Sequence, residues 1–550
     1  MARRRTKFIL PATLYLSLGL SLAQSADNVR STLMPVVARI HWSGMTRLAG
    51  DTNDARLIAI RDLPESHRLE QQTLDKLSRA PWPLLHRKLD TNAAAFLRPL
   101  LDDLVANESY LQIRQLPNIP AELVLAVQLD DRRAALWQTN LAVVLESLTG
   151  IRPVPAPRGS YGWSLNKHHA PNVLELTRVG RWTVFGAAEE LNGLLAELRA
   201  RTGRNLPIWT VRNGKDWLEA DFDPARLASY LTTLFSQSTG ATDTSPLTAG
   251  GSIPAQGDKP PNWPGRIYFA LTGDGTKVLT RGTADFPRPL ALDLKPWNVP
   301  TNLIDQRLSS ITLIRGFRPW LESAKVWTDL HAGPPPDQIC LWALKGLPMQ
   351  SYFTAPVANA SNEVDRITGF VLQNQHHWFP PYGLAVFVGA TNSDGLEWKG
   401  LPMVAPFLQS VTIRDQGYIY GGGFPNTGIY PLPETTLQNN FIQTNLVYHD
   451  WELASARVEQ WLFMLEITRM AFNKAQLPPD TAAISWVKAI SPHLSEAVTD
   501  ITWTGPNQLS FTRKSTVGLT AVELGLLADW LESPQFPRGL HTFLVRPSAQ

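Results

Sequence analysis

Two stretches of this chain, 232 residues apart, echo one another. ALTGDGTKVLTRGT (Ala270–Thr283) and TWTGPNQLSFTRKS (Thr502–Ser515) align without a gap. Thr272-Gly273 falls on Thr504-Gly505 and Thr280-Arg281 on Thr512-Arg513. Further matches keep the same order. Leu57–Asp62 resembles Ile311–Gly316, Arg98-Pro99-Leu100-Leu101 resembles Arg318-Pro319-Trp320-Leu321, and Gly180–Gly186 resembles Gln416–Gly421. Asp221-Phe222-Asp223 likewise resembles Asp450-Trp451-Glu452. A period this long belongs to duplicated domains, not to a solenoid. The expectation is an α+β chain of two similar lobes, built from antiparallel hairpins and sheets with packed helices.

The domain boundaries follow from this. Residues 1–23 read as a signal peptide and 24–54 as a lead-in. The first copy covers 55–290, with a 34-residue helical insert within 63–97 and a flexible Ser/Thr/Gly/Pro-rich loop at 236–265. A Pro-rich junction fills 291–308. The second copy covers 309–535 with a C-terminal helix, and 536–550 is a tail.

Export is read from the first residues. Arg3, Arg4, Arg5 and Lys7 precede an apolar run from Phe8 to Leu22, and Ser21-Leu22-Ala23 offers a cleavage site before Gln24. The run falls short of the roughly 20 residues of a membrane span. An uncleaved N-terminal anchor is the alternative, and the one route to a membrane. Removing the four basic residues of this segment from 51 leaves 47 Lys+Arg against 48 Asp+Glu, a net charge of −1. No clustered positive surface points to nucleic acid. The destination is periplasmic or cell-envelope.

Within the copies, Arg56–Ile60 reads as an early strand. Pro64 to about Ser78 reads as a helix with Leu69, Leu74 and Leu77 facing inward. Leu123–Leu129 reads as a buried strand, and Leu136–Leu148 as a helix stopped by Gly150. A hairpin is expected about Val179-Gly180, and a helix is set by Leu191, Leu194, Leu195 and Leu198. Gly273-Asp274-Gly275 and Asp394-Gly395 are hairpin turns. Thr520-Ala521-Val522-Glu523 is a capping box. Cys340, the single cysteine, lies in an apolar run and reads as a buried small hydrophobe. Most of the 19 Trp read as core.

Candidate chemistry is sparse. Arg61/Arg315, Arg98/Arg318 and Arg281/Arg513 recur across the copies and could line an anion-binding cleft or pair with local carboxylates. His449 beside Asp450 offers a His–carboxylate pair. Ligand-cleft candidates are therefore Arg61, Arg315, Arg98, Arg318, His449 and Asp450. Asp221, Asp223, Asp450 and Glu452 recur as well, with Asp223-Pro224 reading as an N-cap and Asp450 as the cap of its own helix. His168-His169 and His376-His377, taken as strand pairs, point to opposite faces and make poor joint ligands. No metal is assigned. Gly421-Gly422-Gly423 with Gly428 lacks the Lys-Ser/Thr of a phosphate loop, so no cofactor is assigned. No Gly-x-Ser-x-Gly elbow occurs.

The segment AGDTNDARLIAIRDLPESHRLEQQTLDKLSRAPWPLL (Ala49–Leu85) resembles a group of large exported proteins from Verrucomicrobia and related bacteria. Arg318–Leu321 and Arg513–Leu519 are similar to later landmarks of that group. The resemblance implies export and supplies no activity, cofactor or catalytic residue. The functional expectation is a non-enzymatic exported protein that binds a ligand, lipid or protein partner between or along its lobes. The alternatives are an exported hydrolase with dispersed catalytic residues and an anchored envelope structural protein.

Overall fold

A computed structural model describes residues 36–114, 122–157, 160–165, 174–187, 215–227, 262–322, 327, 333–346, 350–378, 385–390, 394–400, 405–424, 430–471, 481–533 and 536–537. The signal segment, the Leu191–Leu198 helix, nearly all of the 236–265 loop and His168-His169 lie outside the described residues. The fold is mixed α+β, with twelve helices and twenty antiparallel strands among the described residues. Two compact units share the chain. One runs to Arg288 and takes in Pro479–Ala489 and the chain from Leu526 onward; the other holds Pro289–Pro478 and Ile490–Gly525.

In the first lobe the elements are β1 (Val36–Trp42), α1 (Met45–Leu48), α2 (Ala55–Arg61), α3 (Pro64–Arg79), α4 (Pro81–Leu84), α5 (Thr91–Ala106), β2 (Ser109–Arg114), β3 (Glu122–Gln128) and α6 (Asp131–Thr149). They continue as β4 (Val154–Pro155), β5 (Trp163–Leu165), β6 (Leu174–Val179), β7 (Trp182–Ala187), β8 (Leu218–Phe222), β9 (Arg266–Gly273) and β10 (Val278–Asp285). The strands pair in the order β10-β9-β8-β1-β2-β3-β7-β6-β5-β4.

The second lobe contributes β11 (Leu308–Arg315), α7 (Arg318–Glu322), β12 (Gln338–Leu344), β13 (Ser351–Val357), α8 (Ala360–Trp378), β14 (Ala385–Gly389), β15 (Gly395–Gly400), β16 (Phe407–Ile413) and β17 (Gln416–Gly422). It continues with α9 (Gln438–Ile442), β18 (Leu446–Leu453), α10 (Ala454–Ala471), β19 (Glu496–Gly505) and β20 (Gln508–Ser515). Its strand order is β20-β19-β18-β11-β12-β13-β17-β16-β15-β14. Every pairing in the first lobe recurs in the second between strands numbered ten higher. Helix α11 (Ala482–Ile490) and the end of α12 (Ala521–Glu532) return to the first lobe.

Local physics explains the main helices. Asp130 caps α6 by accepting the Arg133 N–H, and Gly150 ends it in the left-handed conformation at φ 74°. Its buried positions, Ala134, Trp137, Leu141, Val144, Leu145 and Leu148, follow helical spacing. On α3 the buried stripe is Leu69, Leu74 and Leu77, as the sequence predicts. Thr520 and Glu523 form the reciprocal capping box at the start of α12. In the second lobe, Ile311, Leu313, Cys340, Trp342, Tyr352 and Tyr420 form a core on one sheet face, with Trp297 and Phe441 packed against it. Val364 of α8 packs with Ile419 on the other.

Several expectations are overturned. Arg56–Ile60 is helix, not strand, and α2 packs Leu57 and Ile58 against Trp42 and Trp217. A run of Leu, Ile and Ala this short satisfies either periodicity, and packing decided. The match of Leu57–Asp62 to Ile311–Gly316 therefore sets a helix against a strand. The helices between β1 and β2 occupy 43–108, whereas 316–337 separates β11 from β12. His376-His377 lie in α8, not on a strand.

The acidic match fails as well. Both first strands carry a bulge, at Val37 in β1 and at Ser309 in β11. Matching the two bulges sets Ala38 on Ser310, and reading across the ladders sets Gly186 on Gly422 and Phe222 on Glu452. Asp450 then falls on Ala220 and His449 on Glu219.

Candidate functional site

The first lobe gathers titratable groups on one sheet face. On β8, Glu219 is directly opposite His41 of β1 and Ala270 of β9, and Ala270 is opposite Arg281 of β10. Cross-strand partners share a face, so these side chains form one row. Arg281 Nη2 donates to both oxygens of Asp216, at 2.7 and 2.8 Å, and the Asp216 side chain is fully buried. The Asp216 carboxyl is a close neighbour of the Glu219 carboxyl. Glu219 is 8 % exposed. Burial first, and the Asp216 carboxyl second, push its pKa up to about 7. The Tyr268 hydroxyl at 3.5 Å and Arg281 oppose that shift.

Beside this pair, His41 Nε2 hydrogen-bonds Glu108 at 3.0 Å and its ring stacks on Tyr110 with centroids 4.3 Å apart. Tyr110 also donates its hydroxyl to Glu108, at 3.2 Å. His41 is 5 % exposed, and its Nδ1 has no hydrogen-bond partner among the described residues. An acid pair backed by a guanidinium, next to a histidine with one unused ring nitrogen, can hold and pass a proton. The sequence reading missed Asp216, Glu219 and His41. The available signal was a charged residue inside a short strand of otherwise core composition, Leu218-Glu219-Ala220.

The second lobe divides its charges between both sheet faces. His449 does not pair with Asp450, because neighbours on a strand point oppositely. Its Nδ1 lies 2.7 Å from Asp500 Oδ1, across the β18–β19 ladder. On the other face Asp450 accepts the Thr312 hydroxyl at 2.6 Å. It sits inside β18 and caps no helix. Glu452 accepts the Ala521 N–H at 2.7 Å, at the start of α12. Burial raises the Asp450 pKa, and burial with the neighbouring Asp450 charge raises that of Glu452 to about 7. Arg513 binds Glu523 and Thr499. Asp223 does cap, accepting the N–H groups of Ala225 and Arg226 at 3.0 Å.

The structure does not bring the predicted arginines together. Arg61 lies at the end of α2, 3.7 Å from Glu70. Arg98, on α5, binds Asp75 at 2.8 Å and Asp102. Arg318 donates to the Pro335 carbonyl. Arg315 is 3 % exposed and gives its donors to the carbonyls of Leu446, Lys295, Gln443 and Thr444 while its guanidinium covers Trp297. Arg61, Arg98, Arg281 and Arg513 pair with carboxylates of their own lobe; Arg315 and Arg318 tie loops through carbonyls. The glycines at 421–422 close β17 where a Cβ would strike aromatic rings, at 2.7 Å from Phe353 and 2.4 Å from Tyr352. Cys340 is buried in the core, which pushes its thiol pKa up.

Among the described residues no group of three or more His, Cys, Asp or Glu is placed to hold a metal ion, and no helix is long and apolar enough to cross a membrane. No protein-family model, curated protein or solved structure matches the chain.

Proposed function

We propose that the chain is an exported binding protein made by duplication of a ten-strand lobe, and that it acts by holding a ligand or partner rather than by turnover. The observation that carries the duplication is the recurrence of each first-lobe strand pairing in the second lobe. The echo at Thr280-Arg281 and Thr512-Arg513 falls on the last strand of each lobe, but one residue out of register, since reading across the ladders sets Arg281 on Thr512. Binding is favoured over chemistry by the apolar sheets and the lack of a local catalytic pattern in the sequence; the recurrent arginines, whose donors are spent on their own lobe, are not assigned to the ligand. The basic and apolar N-terminal segment, and the likeness of Ala49–Leu85 to an exported bacterial group, support export.

Native mass spectrometry of the protein recovered from the envelope of its source cells tests this. The expected result is a chain beginning at Gln24 with additional non-covalent mass. A chain that begins at Gln24 and carries no additional mass overturns binding and leaves export standing; a chain still bearing residues 1–23 overturns the cleaved-signal reading.

One observation favours a second reading, an exported hydrolase. Glu219, its pKa raised to about 7 by burial and by Asp216, can both hold and release a proton near neutral pH, as a general acid must. Screening ester, peptide, glycoside and phosphate substrates decides between them. Turnover that disappears in Asp216→Asn and Glu219→Gln establishes the hydrolase and removes the first reading.

A further inference from the structure

Among the described strands, the two lobes finish their sheets on equivalent edge strands, β4 and β14, and protect them differently. Strand β4 is two residues long and includes Pro155, with Pro153 just before it. Proline has no N–H to offer a new strand, so this edge cannot be extended. Strand β14 is Ala-Val-Phe-Val-Gly, with no charge and no proline, and among the described strands it pairs with β15 alone. A short, uncharged, β-branched edge of this kind is a template for another chain.

At its centre, however, the backbone is occupied. The Phe387 N–H donates to Gln375 Oε1 at 2.9 Å, and Gln375 Nε2 donates to the Phe387 carbonyl at 3.2 Å. A primary amide carries the same donor and acceptor as a peptide group. The Gln375 side chain thus makes both hydrogen bonds that the next strand would make to Phe387. It can reach because α8 crosses the sheet, packing Ile367 near Ile419, and brings Gln375 to the edge near its end. Phe387 is further fixed by edge-to-face contact with Trp398 of β15, centroids 4.8 Å apart.

We infer that Gln375 is an edge guard: its amide stands in for a neighbouring strand and keeps β14 from pairing with β14 of a second copy. The guard is the counterpart of Pro155 in the first lobe. An antiparallel β14–β14 pair would set Phe387 of one copy near Phe387 of the other, with the two Gln375 amides displaced.

The test uses the full-length chain and two variants, Gln375→Ala and the double variant Gln375→Ala/Phe387→Pro. Sedimentation velocity over a hundredfold range of concentration reads association, and near-UV circular dichroism verifies that each variant keeps the wild-type fold. Gln375→Ala is expected to gain a concentration-dependent species of twice the wild-type mass. Its Phe387 amide is expected to exchange faster than wild type when dilute and slower when concentrated. The proline should abolish the new species. A Gln375→Ala protein that associates no more than wild type overturns the inference, and so does association that survives the proline.

Discussion

Glu452 sits on β18 with 4 % of its surface exposed, accepting one backbone N–H and facing Asp450, Arg457 and Arg513. Its ordinary carboxyl value of 4.5 is raised to about 7. A carboxyl that holds its proton more tightly when folded stabilises the protein fully below its unfolded pKa. That contribution is lost as pH rises through the folded pKa. The window therefore runs from about pH 4.5 to a little above 7, and the loss is on the order of 2–3 kcal/mol. Glu452→Gln keeps an oxygen for the Ala521 N–H and removes the titration. Urea midpoints measured across this window should fall with pH in the wild type and fall less in the variant, the remaining slope coming from the other buried carboxyls with raised pKa, Glu219 and Asp450 among them. An unchanged slope in Glu452→Gln would show that the carboxyl is not the titrating group. None of this was legible in the sequence. Asp450-Trp451-Glu452 reads as a polar cap, and only the ladder to β11 and β19 shows that both acids turn into a buried face. Arg315 read as a ligand-cleft candidate; its donors go instead to backbone carbonyls, those at 443–446 lying some 130 residues away with no side-chain signature.

Elements were easier to read than residues where the signal was local. The α6 stop at Gly150, the α12 capping box and the β9–β10 turn each depend on a few adjacent residues. The α2 segment was misread because its conformation is set by contacts with Trp42 and Trp217, which neighbour it only in space. The glycines of β7 and β17 show the same division. Sequence reading only withheld a phosphate-loop role from Gly421–Gly423; the structure shows why these positions are glycine. A Cβ on Gly186 would lie 2.5 Å from the Leu123 carbonyl oxygen, and one on Gly422 would lie 2.4 Å from the Tyr352 ring and 3.0 Å from the Ser351 oxygen. Gly186→Ala and Gly422→Ala should each cost about 1–3 kcal/mol through overpacking. Gly505→Ala, where a Cβ meets nothing within 4 Å, is the control. Thermal melts of the three variants check this, and equal melting temperatures for Gly186→Ala and Gly505→Ala would remove the steric account.

Across the whole molecule, the sequence echo pointed to two lobes of the same strand order, but the register between them was not legible, because strand ladders carry it and sequence offsets do not. The chain also refuses a simple cut between its halves. The first lobe is completed by segments from beyond the second. Lys76 Nζ donates to the Leu531 carbonyl at 2.6 Å, and Gln72 reaches Glu532. Glu532 in turn accepts the Ala483 N–H at 2.8 Å, near the start of α11. Leu531 and Trp530 are buried there, and the Phe536 ring lies tilted against Trp530. A fragment ending at Arg288 loses α11 and the end of α12, and with them the partners of Lys76 and Gln72 and the buried Trp530 and Leu531. Burial of a Leu or Trp side chain is worth about 1.5–3 kcal/mol, comparable in sum to the whole stability of many domains. Residues 24–288 made alone should therefore lack the near-UV signal of packed tryptophan. The same fragment extended by a linker to residues 479–489 and 526–550 should regain it. If 24–288 alone unfolds cooperatively with the native spectrum, the returning segments are accessories, and the first lobe is a contiguous domain.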